Sequence, residues 1–201
     1  IQNGVAFPQN SADQTAANLP ALGSGYTFMR DCQAAMNLLL DPSLGCRYAG
    51  VEVGGWDTHN SQVGRRAALD PWLAHAIASI YRYGLTSPVP VTLLVMTEFG
   101  RTSRENGSGG PNVGTDHGIG GLMMAFGPRV RGGVYNCSAV AGPNGAAWSE
   151  LGNHANNAQP VSTDFRLILA ELFSKRFGLN AGQIGSVIPG WTDSNYLGVF
   201  N

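Results

Sequence analysis

Two short stretches carry residue types suited to metal chemistry. "WDTH" sets Asp57 and His59 two apart, and "TDHG" sets Asp116 beside His117. Residues two apart in an extended segment project to the same side, so Asp57 and His59 can reach one ion together. Asp116 and His117 diverge if extended. A turn would let both bind one ion, or they would serve two neighbouring ions. Carboxylates with neutral imidazoles suit zinc, manganese or iron better than calcium. Taken alone, "WDTH" reads as an Asx-type turn after a strand, with a solvated histidine, and "TDHG" alone is no stronger. Both motifs together with Glu98, each beside a β-prone run, favour a metal site. Glu98 reads as a ligand or as a group that orients a ligating histidine.

Arg101, Arg104 and Arg131 follow the acidic positions in the chain. The guanidinium fork matches phosphate or sulfate oxygens, and Arg101 is close enough to Glu98 to line the same mouth. The competing reading is a salt bridge from Arg101 to Glu98 or Glu105. The glycines of "NGSGGPNVGTDHGIGG" either bring backbone N–H groups to an anion or simply let a long loop turn. His75 falls within a helix and reads as structural. His154, on a loop, is a further candidate ligand.

These residues need elements to hold them. Residues 1–25, rich in Gly, Pro and Asn, read as an irregular lead-in. Apolar residues Phe28, Met29, Ala35, Met36, Leu39 and Leu40 trace a helical stripe over 26–40, which "DPSLG" stops. "RYAGVEV" (47–53) reads as a strand. A second helix is expected over about 64–83, with Leu69, Leu73, Ile77 and Ile80 inward. "VPVTLLVMT" (89–97) reads as a strand covered on both faces. A long loop (98–118), a strand at 121–127 and a further strand at "GGVYNC" follow, then mostly loop over 138–162. A helix over 163–177 has Thr163 as N-cap and Asp164 in its first turn. The tail shows no regular pattern. This order implies an α/β fold, and in open α/β sheets sites form at the carboxyl ends of strands.

Composition narrows the function classes. The chain has 201 residues, 43% hydrophobic and only 12% charged, with 28 glycines and a net charge of −1. That suits one domain with a sizeable core and gives no electrostatic reason to expect nucleic acid or an anionic membrane. No apolar run is long enough to span a bilayer. The start without methionine suggests a processed or truncated chain that has lost an upstream targeting segment. Cys32, Cys46 and Cys137 match no zinc-cluster spacing. A Cys32–Cys46 disulfide is compatible with export.

"GGWDTHNSQ", "TEFGRTSRENGSGGPNVGTDHG" and "FGPRVRGGVY" resemble the family called domain of unknown function 1501, over roughly 27–189. That family is similar to sulfatases, in the alkaline phosphatase superfamily. The resemblance implies a three-layer sandwich with a mostly parallel sheet, incomplete here at its N-terminus, with 26–201 as its C-terminal part. It implies two divalent metals clamping a phosphate or sulfate ester. Zinc is the first candidate, with manganese, iron or calcium as alternatives. Asp57, His59, Asp116 and His117 are then metal ligands, and Arg101 and Glu98 catalytic-site residues. The Asp-Thr-His spacing is tighter than the superfamily's, and its nucleophile and first aspartate lie in an N-terminal segment with no counterpart here. The implied partners are a small-molecule or glycan ester and either the missing half or another subunit. The implied location is periplasmic or extracytoplasmic. The alternative function is a non-catalytic metal-binding, assembly or glycan-binding protein that keeps the fold, with Trp148, Trp191 and Tyr196 as candidate contact residues.

Overall fold

The computed structural model describes residues 6–107, 109–136 and 161–201. The elements are α1 (Ser11–Ala16), α2 (Gly25–Leu40), α3 (Gln62–Thr86), β1 (Leu93–Val95), β2 (Gly100–Glu105), β3 (Thr115–Gly118), β4 (Met124–Phe126), α4 (Phe165–Leu172) with a π-helical turn Phe173–Phe177, and α5 (Ala181–Val187). The chain divides into two compact units. The first is Ile1–Leu93, Glu105–Asp116 and Phe126–Pro128. The second is Leu94–Arg104, His117–Ala125 and Arg129–Asn201.

The first unit is built on α2 and α3. The stripe expected on α2 is largely the one that packs: Phe28, Met29, Cys32 and Met36 are buried. On α3 the most buried face runs Leu69, Trp72, Ala76 and Ser79. Leu73, Ile77 and Ile80 flank it half-buried. Trp72 decides this rotation. Its ring is fully buried, edge-on to Tyr26, and its indole N–H donates to the Pro20 carbonyl at 2.9 Å. The lead-in is therefore not wholly irregular. Asn10 caps α1 by accepting from the Asp13 amide, Phe7 enters the core, and Ser79 donates to the Ala6 carbonyl. The stop after α2 is as expected: the Asp41 carboxylate accepts from the amide and hydroxyl of Ser43.

Residues 47–53 do not form a strand. Val51 and Val53 still pack on the α2–α3 core, so the alternation is used, but without a ladder.

The strands also differ from expectation. β1 is a three-residue piece of the expected 89–97 run and is half-buried. It pairs with β4, inside the strand expected at 121–127, while β2 pairs with β3. Both small sheets are antiparallel. Among the described residues there is mixed helix and strand, but no parallel pairing where a mostly parallel sheet was expected. The stretch 98–118 is not one long loop, because it contains β2 and β3. Antiparallel strands can leave a face in water, so "GRTSRE" forms a ladder without apolar alternation. Backbone closeness shapes this pairing: a Cβ at Gly118 would stand 2.5 Å from the Arg101 carbonyl.

In the second unit, residues 132–136 form no strand; the nearby Val130 makes an isolated antiparallel bridge to Phe200. Asp164, not Thr163, is the N-cap of α4, accepting from the Arg166 amide. The tail holds α5, opened by a capping box between Asn180 and Gln183. Glu171 is fully buried, and its carboxylate accepts from the amides of Leu197, Gly198 and Phe200 at 3.0, 3.2 and 2.9 Å. This ties the C-terminal segment to α4, where Ile168, Val199 and Phe200 form a core. Cys32 and Cys46 are free thiols, so the disulfide is not formed. Cys137, Trp148, His154 and most of the 138–162 stretch lie outside the described residues. No helix among the described residues is long and apolar enough to cross a membrane.

Candidate metal centre

The "WDTHNS" segment is stitched to the start of β3. Asn60 makes an isolated antiparallel bridge with Val113. The Ser61 amide donates to the Asn112 carbonyl at 3.0 Å, and the Gln62 amide to Val113 at 3.1 Å. Thr115 adds a side-chain bond to Gln62 at 3.1 Å. Thr58 points inward and is 1% exposed. Its neighbours Asp57 and His59 are both exposed and meet each other. Gly114 makes this approach feasible. A Cβ there would run into the Thr58 carbonyl oxygen and come within 2.5 Å of the His59 carbonyl carbon.

The result is a histidine gripped by two carboxylates. His59 Nε2 lies 2.9 Å from Asp57 Oδ1, and Nδ1 lies 2.9 Å from Asp116 Oδ1. A neutral imidazole has one donor and one acceptor nitrogen. Two carboxylates on its two nitrogens therefore ask for a positive centre, either a second ring proton or a cation held with one of them. Asn106, at the end of β2, completes the cluster. Its Nδ2 donates to the His59 carbonyl at 2.8 Å and to Asp116 Oδ1 at 3.1 Å. Its Oδ1 accepts from the Gly114 amide, and its own amide donates to the Gly114 carbonyl, both at 3.0 Å. The sequence reading missed Asn106. The only signal for it was its place eight residues before Gly114 in a glycine-rich stretch.

The site is open: the side chains of Asp57, His59 and Asp116 are 61%, 44% and 63% exposed. Its residue types fit a divalent cation. Two ligand atoms on one zinc ion at ordinary bond lengths stand about 3 to 3.5 Å apart. The Nε2–Asp57 spacing reaches that range with a shift of a few tenths of an ångström at most. The bland alternative of a solvated histidine in a turn does not describe His59, whose ring is engaged at both nitrogens.

The other sequence candidates belong to the second unit. His117 stacks on Phe99, with ring centroids 4.0 Å apart, and the Arg101 guanidinium lies over the same ring at 4.9 Å. Glu98 is exposed between β1 and β2. In the first unit, His75 is half-buried on α3. A shallow apolar groove of about 430 Å³ on α3, lined by Ala74, Ile77, Ala78, Tyr81 and Phe126, contains none of the candidate residues.

A mixed helix-and-strand chain with a carboxylate-clamped histidine is the class these observations define. The chain belongs to the family described as protein of unknown function (DUF1501), which matches residues 7–181. No curated protein and no solved structure matches it.

Proposed function

We propose that this protein is a divalent-metal-dependent hydrolase of phosphate or sulfate esters, or a part of one, and that Asp57 and His59 hold the metal. The observation that carries the reading is His59 between the carboxylates of Asp57 and Asp116, each 2.9 Å away. The motif resemblance adds His117 as a candidate ligand. Asp57 and His59 offer a carboxylate oxygen and an imidazole nitrogen 2.9 Å apart, donor types that suit zinc or manganese. Such a metal, when bound, supplies Lewis-acid polarisation of an ester oxygen. Arg101 has the fork that pairs with phosphate or sulfate oxygens. Kinship with sulfatases, the three-layer sandwich and an extracytoplasmic location belong to the same proposal and rest on the motif resemblance.

The openness of the site favours one second reading. Catalytic charge stabilisation is strongest where water is excluded, and Asp57 and Asp116 are both more than half exposed. A protein that binds metal for assembly or glycan contact needs no such exclusion.

Elemental analysis of natively purified protein, paired with a hydrolysis screen of aryl phosphates and aryl sulfates, tests both readings. Bound zinc or manganese with turnover, both lost in His59→Ala and His117→Ala, is the hydrolase outcome. Bound metal without turnover selects the second reading. No metal after purification and none taken up on titration rejects both.

A further inference from the structure

The metal reading leaves open what Asp116 does, and here the geometry goes further. We propose that Asp116, held by Asn106, is a positioning residue rather than a ligand: it keeps the His59 ring oriented with Nδ1–H on its carboxylate and Nε2 turned to Asp57 and the cation. The inference rests on the metal reading for its purpose, but not for its geometry.

Asp116 Oδ1 receives two contacts, His59 Nδ1 at 2.9 Å and Asn106 Nδ2 at 3.1 Å. Asn106 Nδ2 can only donate, so Oδ1 must be the acceptor there. The carboxylate is thereby turned with this oxygen toward the ring. The imidazole nitrogen facing it is best served by carrying a proton, which leaves the other nitrogen to bring a lone pair to a metal. Histidines that bind metal commonly donate their second N–H to a carboxylate, which fixes tautomer and ring orientation. Here the carboxylate and the side chain that steadies it, Asp116 and Asn106, come from one short stretch of chain. Asn106 bonds the His59 carbonyl as well as Asp116, so it fixes the backbone of the ligand and the carboxylate that orients its ring. Its Oδ1 is committed to the Gly114 amide, which sets which end of the amide faces the site. An aspartate at 106 would keep that acceptor, lose both donors and set one carboxylate against another.

The test compares variants by zinc affinity, measured in competition with a chelator, and by the ring nitrogens of His59 in metal-free protein, read by ¹⁵N NMR. A positioning role predicts that Asp116→Asn and Asn106→Asp each weaken zinc by about 10- to 100-fold. Asp57→Asn and His59→Ala should lose it further. Metal-free wild-type protein should show a proton on Nδ1, and Asp116→Ala, which leaves the Asp57 carboxylate facing Nε2, should lose it from Nδ1. Far-UV circular dichroism should be unchanged throughout, since Asp116 is 63% exposed. Asp116→Asn as damaging as Asp57→Asn would make Asp116 a ligand and overturn the proposal. A wild-type Nδ1 without a proton would overturn it too. Wild-type protein that takes up no zinc would sink the metal reading instead, and the nitrogen spectra would then decide the positioning claim by themselves.

Discussion

The site turns on residues that do no chemistry as much as on those that do. Gly114 is the clearest case. It lets β3 begin against the Thr58 carbonyl, and that contact brings Asp116 to His59. Gly114→Ala should force a backbone shift costing about 1 to 3 kcal/mol, because the atoms it meets are backbone and cannot swing away. The expected result is a lowered unfolding midpoint together with weaker zinc binding. A variant that kept both at wild-type values would show that the close approach is not needed. "WDTH" and "TDHG" were legible from residue type and spacing. Their joining was not, because a glycine's role in a close approach depends on what lies opposite. Asn106 was invisible for a related reason: an asparagine in a glycine-rich stretch is ordinary until its partners are known.

Among the elements, α4 carries the most specific consequences. Glu171 is buried with three amide donors on its carboxylate. Glu171→Ala should leave those amides without their acceptor and cost about 3 kcal/mol or more, read as a lower midpoint in urea. Glu171→Gln replaces one accepting oxygen with a donor and should fall between. A destabilisation under about 0.5 kcal/mol for the alanine variant would mean the C-terminal segment is held otherwise. At the start of the same helix, hydrogen bonding from Arg166 holds the Asp164 carboxyl below the usual carboxylate range, against a smaller opposing effect of burial. The folded value is depressed, so the contribution is full above the ordinary value of 3.8 and is lost as pH falls through the folded one. Faster amide exchange at Arg166 on acidification below about pH 4 is therefore expected. Exchange no faster there than that of distant helical amides, after correction for intrinsic rates, would contradict it. Asp164→Asn keeps a capping oxygen and should remove the pH dependence.

Taken as a whole, each unit has its own core, and the first shields a thiol. Burial, reinforced by Asp31, pushes the Cys32 thiol up to about 12, and the side chain sits among Phe28, Met29, Met36 and Trp72. Thiolate, not thiol, reacts with alkylating agents. Brief treatment of native protein with iodoacetamide at neutral pH should label Cys46 and leave Cys32 unmodified until denaturant is added, as read by peptide mass spectrometry. Prompt labelling of Cys32 in native protein would mean the α2–α3 core opens readily.

Periodicity determined the two long helices, α2 and α3, but not α1 or α5. The stripes on 26–40 and 64–83 were readable because a helix buries residues by a repeat that the sequence itself displays, and the α2 stop at "DPSLG" rests on local turn chemistry. The rotation of α3 was settled only in three dimensions, where the bulk of Trp72 and its bond to Pro20 outweigh the aliphatic row beside it. Strands fared worse because a strand exists only through its partner. "RYAGVEV" has the composition but no ladder, while "GRTSRE" lacks the apolar pattern and gains one from β3. The site followed the same division. Ligand types and their spacing are properties of the chain, so Asp57, His59, Asp116 and His117 could be singled out beforehand. Which nitrogen of His59 meets which carboxylate depends on two segments more than fifty residues apart lying edge to edge, and no local rule of sequence encodes that meeting.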